Sequence, residues 1–128
     1  MIYLDSSVAL AHLLTEDRAP PESLWDRLLV SSRLLEYEVW NRLNASGFAG
    51  SHGEAARTLI DGLALIELAP LVLARAVEPF PIRVRTLDAL HLASIEFLRG
   101  QGQTIELATY DDRMGAAAQE LGIELLGL

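Results

Sequence analysis

The stretch Met1-Ile2-Tyr3-Leu4-Asp5-Ser6-Ser7 constrains the fold more than any other, because an apolar run stops there on a carboxylate followed by two hydroxyls. Strands buried on both faces read as short continuous apolar runs, and in open α/β sheets the functional crevice lies beyond the strands' carboxyl ends. Asp5 is therefore expected at such a crevice. Its plainer role is to cap the helix that follows, a task Ser6 or Ser7 also suits, since Asp and Ser are favoured caps. The local pattern fits both roles equally.

The remainder of the chain alternates short apolar segments with longer periodic ones. Helices are expected over Val8–Leu14, over Glu22–Leu28 behind Pro21, from the caps Ser31-Ser32 to about Ser46 with Gly47 as a stop, and between His52 and Gly62. Further helices are expected from Pro70 to about Val77, from a capping Thr86 to Arg99 and Gly100, and over Asp112–Leu121 before Gly122. Leu28–Val30, Leu65–Leu68, Thr104–Thr109 and Ile123–Leu126 read as strands, and Pro79 and Pro81 bracket a stiff loop. This alternation indicates an α/β domain with a mostly parallel central sheet of four or five strands flanked by helices. A chain of 128 residues suits one domain spanning 1–128.

Composition narrows the chemistry. The longest oily stretch, Leu63 to Val77, is interrupted by Glu67, Pro70 and Arg75 and falls short of the roughly 20 apolar residues that span a bilayer. The start lacks the basic region and cleavage site of a signal peptide, so a cytoplasmic location without membrane attachment is expected. With no cysteine, thiol nucleophiles and thiolate metal sites are excluded, and any metal must be held by oxygen or imidazole. Eighteen acids against ten bases, all Arg, give a formal charge of −8, which disfavours nonspecific binding to a polyanion.

Four stretches carry acids that such a topology can bring together: Asp5 after the first strand, Glu36 or Glu38 in the helix after Ser32, Asp88 in Thr86-Leu87-Asp88-Ala89-Leu90-His91, and Asp111-Asp112 after the strand at 104–109. Each has a plainer role. Asp88 in a first turn complements the helix dipole, and Glu38 has Arg42 four residues on for a surface ion pair. Leu35, Val39 and Leu43 form one helical face with Glu36 at one border and Glu38 at the other, so periodicity leaves the choice between them open. His91 is expected to pack inside its helix rather than act as a base. Arg83, Arg85 and Arg113 suit either phosphate contact or plain solvation. Trp25, Trp40 and Phe48 suit core packing or a partner groove.

Taken together, Ile2-Tyr3-Leu4-Asp5-Ser6-Ser7, Ser32-Arg33-Leu34-Leu35-Glu36-Tyr37-Glu38, Thr86-Leu87-Asp88-Ala89-Leu90-His91-Leu92-Ala93 and Ala108-Thr109-Tyr110-Asp111 resemble, in order and spacing, the PIN-domain family and within it the VapC-type toxins of toxin-antitoxin pairs. The resemblance implies a Rossmann-like sheet and an acidic site of Asp5, Glu38, Asp88 and Asp111, the family's Ser-x-Leu-x-x-x-Glu pattern selecting Glu38 over Glu36. It also implies Mg²⁺ or Mn²⁺ on Asp5, Asp88 and Asp111, endonucleolytic cleavage of RNA, a homodimer, and a cognate antitoxin that covers the site. Ser7 and Thr109 match hydroxyl positions near that site, and Asp112 doubles the fourth acid.

The chemistry asks for such residues on its own account. Hard divalent cations take oxygen ligands, and converging carboxylates repel one another unless a cation neutralises them. An ion so held activates water for in-line attack on phosphorus, leaving a 5′-phosphate and a 3′-hydroxyl, with no protein nucleophile. Receiver domains and haloacid-dehalogenase-like phosphatases also follow a first strand with Asp, but both use a site lysine and this chain has none. The remaining alternative is a non-catalytic PIN-like module that binds RNA or protein.

Overall fold

The computed structural model describes residues 1–128. Its elements are β1 (Ile2–Leu4), α1 (Ser6–Leu13), a 3₁₀ turn (Glu22–Asp26), β2 (Leu29–Ser32), α2 (Arg33–Ala45), α3 (Ala49–Asp61), β3 (Ala64–Ile66), α4 (Pro70–Ala76), α5 (Thr86–Gly100), β4 (Glu106–Ala108), α6 (Asp112–Glu120) and β5 (Glu124–Leu125). All pairings are parallel, in the order β3-β2-β1-β4-β5. The expected α/β architecture is therefore present with five strands.

Alternation along the central strand divides the core. Ile2 and Leu4 face Val8 and Leu13 of α1, Leu35, Val39 and Leu43 of α2, and Ala56 and Ile60 of α3. Tyr3, with Val30 and Leu107 from the adjacent strands, faces Leu92, Ile95 and Leu98 of α5 and Met114, Ala117 and Ala118 of α6. Successive strand residues point to opposite faces, so a three-residue strand serves two apolar layers at once. Ile2, Tyr3 and Leu4 are completely buried.

The chain moves outward from β1 to β2 and β3, then returns to the other side of β1 with β4. The reversal lies between β1 and β4, which pair Ile2 with Glu106, Tyr3 with Leu107 and Leu4 with Ala108. In sheets of this kind such a reversal opens a crevice at the strands' carboxyl ends. Asp5 and Thr109 are the residues immediately beyond them.

Several local expectations are corrected. Glu22–Leu28 is a 3₁₀ turn ending at Asp26, because five residues pinned by Leu24 between Pro21 and the β2 strand leave no room for a full α-helix. The helix expected from His52 begins at Ala49, entered from Phe48 without a side-chain cap, where polar periodicity gave no start signal. Thr86 is the first helical residue of α5 rather than its cap; Arg85 takes the capping position without a side-chain cap bond. Gly100 remains helical and the turn is made at Gly102, whose φ of +88° is the left-handed region open to glycine. The strand expected at 65–68 lies instead at Ala64–Ile66, and the one at 104–109 shortens to Glu106–Ala108, the residues that find a parallel partner. Ser32 caps α2 as expected, accepting from the Leu34 N–H at 3.1 Å.

Candidate active site

Asp5 occupies the capping position of α1, yet its carboxylate caps nothing. Its Oδ2 accepts instead from Ser7 Oγ at 2.6 Å and from Thr109 Oγ1 at 2.8 Å, the second of these across the β1–β4 crossover. Both hydroxyls are fixed in turn, since the Tyr110 N–H donates to Ser7 Oγ and the Asp111 N–H to Thr109 Oγ1. Asp5 is only 5% exposed. A buried carboxylate is costly without partners, and two hydroxyl donors on one oxygen leave Oδ1 without a partner in the protein.

Asp111 does two jobs. Oδ1 caps α6 by accepting from the N–H groups of Arg113 and Met114, whereas Oδ2 accepts from the Arg85 guanidinium at 3.0 Å. Arg85 also reaches Asp88 Oδ2 through Nε at 3.3 Å. Asp88 is buried in the first turn of α5, with Oδ1 unpartnered. The two carboxylates raise the pKa of the Arg85 guanidinium and so favour its charged form, Asp88 contributing first by hydrogen bond and charge and Asp111 next.

Glu38 lies beside these acids, and Glu36 does not: Glu36 stands 3.7 Å from Arg33 on another side of α2. The expected Glu38–Arg42 pair does not form. Arg42 reaches Glu16 at 3.8 Å instead, and Glu38 Oε1 bonds His91 Nε2 at 2.5 Å. His91 is buried, with Nδ1 2.7 Å from the Tyr3 hydroxyl. Burial opposes a charge on this ring, but the hydrogen bond and charge of Glu38, joined by Asp5 and Asp88, outweigh it and raise the imidazole above its usual range. Burial pushes the Tyr3 phenol far up, so it stays neutral.

Asp5, Glu38, Asp88 and Asp111 thus line one cavity of about 550 Å³, together with Ser7, Arg42 and Arg85. His91 lies behind its wall and orients Glu38 from there, which is more than the packing role expected of it. Asp112 is exposed and faces a separate depression with Asp17 and Tyr110. The Arg113 side chain is exposed. Trp25 and Trp40 pack against the core, whereas Phe48 is 41% exposed. Arg85, read from the sequence as a phosphate contact or a solvated loop residue, instead bridges two acids, and the hold of Tyr3 on His91 has no signal in the sequence.

The donor set fits a hard divalent cation. Asp5 and Asp88 each keep one carboxylate oxygen free, and both line the cavity. With Arg85 lying between Asp88 and Asp111, no three of these acids stand close enough together to enclose an ion.

A PIN domain family model matches residues 2–120. The chain is 38% identical to Ribonuclease VapC46 of Mycobacterium tuberculosis strain ATCC 25618 / H37Rv over 98% of its own length and 95% of that protein's. It is 29% identical to Ribonuclease VapC47 of M. tuberculosis strain CDC 1551 / Oshkosh, covering 95% and 93% of the two chains. Two solved structures share the fold at a TM-score of 0.63. One is a toxin-antitoxin complex from Klebsiella pneumoniae, at 16% identity over 94% of each chain. The other is M. tuberculosis VapC20, described as a sarcin-ricin loop cleaving toxin, at 18% identity over 91% of this chain and 95% of that one. No helix is long and apolar enough to cross a membrane.

Proposed function

The chain belongs to the PIN-domain family, and we propose that it is a metal-dependent endoribonuclease of the VapC type, the toxin of a toxin-antitoxin pair. The observation that carries this reading is the meeting of four acids from four separate stretches in one cavity at the β1–β4 crossover. The identity to a protein named as a ribonuclease, over nearly the whole of both chains, supports RNA as the substrate.

In this reading Asp5, Asp88 and Asp111 hold Mg²⁺ or Mn²⁺, and Glu38 acts beside them. The ion, when bound, would supply the charge that polarises the phosphodiester and makes a bound water acidic. The chain's own groups do the positioning. Ser7 and Thr109 fix one oxygen of Asp5, so the other is aimed without rotamer freedom. His91 fixes Glu38 Oε1 and leaves Oε2 to accept a hydrogen bond from water in the cavity. Neither a serine nor a histidine attacks phosphorus, and the products carry 5′-phosphate and 3′-hydroxyl ends.

The same reading includes a cognate antitoxin and a homodimer. Exposed Leu71, Leu73 and Val77 beside the Pro79–Pro81 loop offer apolar area of the kind such contacts use. The test is incubation of purified protein with a cellular RNA pool and Mn²⁺, with and without chelator, beside Asp5→Asn and Asp88→Asn. Discrete cuts lost with chelator and with either substitution support the nuclease. No cutting together with no Mn²⁺ binding by calorimetry would favour a non-catalytic binding module.

A further inference from the structure

Arg85 is the one cation in direct contact with Asp88 and Asp111, at 3.3 Å and 3.0 Å. It engages Oδ2 of both, while the far oxygen of Asp111 is already spent on capping α6. Arg85 therefore engages the one Asp111 oxygen that capping leaves available to an ion. The arginine itself is lightly held. Its side chain is 64% exposed, its backbone sits in extended conformation at the entrance of α5, and it caps nothing.

There is also somewhere for it to go. Arg85 and Thr86 form the partition between the acidic cavity and a neighbouring groove of about 670 Å³, lined by Leu73, Val77, Phe80 and Ile82. A guanidinium is weakly hydrated and lies readily against apolar and aromatic surface, as Arg75 already does over Phe80 at 4.1 Å. Arg85 thus borders both compartments.

We propose that Arg85 is an internal substitute for the divalent cation: it neutralises Asp88 and Asp111 in the metal-free protein, and binding of the ion displaces it into the adjoining groove. The proposal rests on the metal-dependent reading of this cavity. A single delocalised charge on an exposed side chain is the weaker competitor for two carboxylates, so it keeps the empty site from repelling itself apart and yields when a doubly charged ion arrives. Metal-free protein is then closed by its own arginine, and metal affinity is set partly by the strength of that closure.

Calorimetric titration with MnCl₂ tests this on the full chain, comparing wild type with Arg85→Gln, Arg85→Lys and Arg57→Gln, the last removing an equal charge outside the cavity. Arg85→Gln is expected to bind Mn²⁺ roughly three- to tenfold more tightly, the scale of one or two exposed ion pairs, with Arg85→Lys between it and wild type. Equal or weaker binding by Arg85→Gln, or the same tightening in Arg57→Gln, would overturn the displacement while leaving the metal site standing. Absence of Mn²⁺ binding in wild type and Arg85→Gln alike would overturn the metal reading itself. Independently, the Arg85 Nε–H signal in NMR is expected to be protected without Mg²⁺ and lost to solvent exchange with it; persistence at saturating Mg²⁺ would contradict displacement.

Discussion

Glu38 and His91 are 53 positions apart in the chain and meet side chain to side chain at 2.5 Å, on the border between the acidic cavity and the core. The Tyr3 hydroxyl holds the ring from its other nitrogen. The central strand, α2 and α5 are thereby linked through one imidazole, and the side chain so fixed is the acid that shares the cavity with Asp5, Asp88 and Asp111.

This linkage has a pH signature. Burial lowers the tendency of His91 to charge, but Glu38 above all reverses this, so the folded-state value lies above the ordinary value near 6.5. The stabilisation is complete below about pH 6.5 and is lost as pH rises through the higher folded value. NMR titration of the metal-free protein is expected to place the His91 transition above 6.5 in wild type. In Glu38→Gln, where burial acts with less opposition, it moves down. A value unmoved by Glu38→Gln would show that Glu38 does not hold the ring charged.

Tyr3→Phe removes a buried partner of His91 without changing the shape of the core. A stability loss of about 1–3 kcal/mol is expected, the cost of leaving one buried polar group unmet. Urea denaturation at a fixed pH measures it, and a loss below about 0.5 kcal/mol would place the Tyr3–His91 bond among the dispensable ones.

Asp111 separates capping from chemistry. Asparagine caps as well as aspartate, whereas alanine costs about 1 kcal/mol at such a position. Asp111→Asn is therefore expected to keep the thermal stability of the fold while losing RNA cleavage, and Asp111→Ala to lose both. Full cleavage by Asp111→Asn would assign the carboxylate to α6 alone.

Thr109→Val takes away the hydroxyl that donates to Asp5 and accepts from the Asp111 N–H, at nearly constant volume. Cleavage is expected to fall roughly 10- to 100-fold, the usual scale for loss of a group that orients a metal ligand. Calorimetry should show Mn²⁺ affinity falling in parallel; unchanged affinity and rate would remove Thr109 from the site.

Much of this was legible in the residues. The apolar run ending at Asp5 marks a buried strand and its crevice, because a strand covered on both faces cannot alternate. The breaks at Pro70 and Ser32 mark real helix starts. What stayed hidden are contacts between distant stretches. Glu36 and Glu38 border the same apolar stripe, and only the position of α5 puts Glu38 against His91 and leaves Glu36 to Arg33. The Glu38–Arg42 pair looked favourable on helix spacing, yet a buried histidine outcompetes an exposed arginine for the carboxylate. Arg85 sits in a loop without periodicity, so nothing local reveals that it bridges two acids.

The most direct measurement is the chemistry of the ends that the protein leaves on cut RNA in Mn²⁺, with Asp5→Asn alongside. Hydrolysis by a water activated in the acidic cavity predicts 5′-phosphate and 3′-hydroxyl ends, and a rate lowered roughly 100-fold or more in Asp5→Asn. Ends carrying 2′,3′-cyclic phosphate, or cutting that persists in Asp5→Asn, would contradict it.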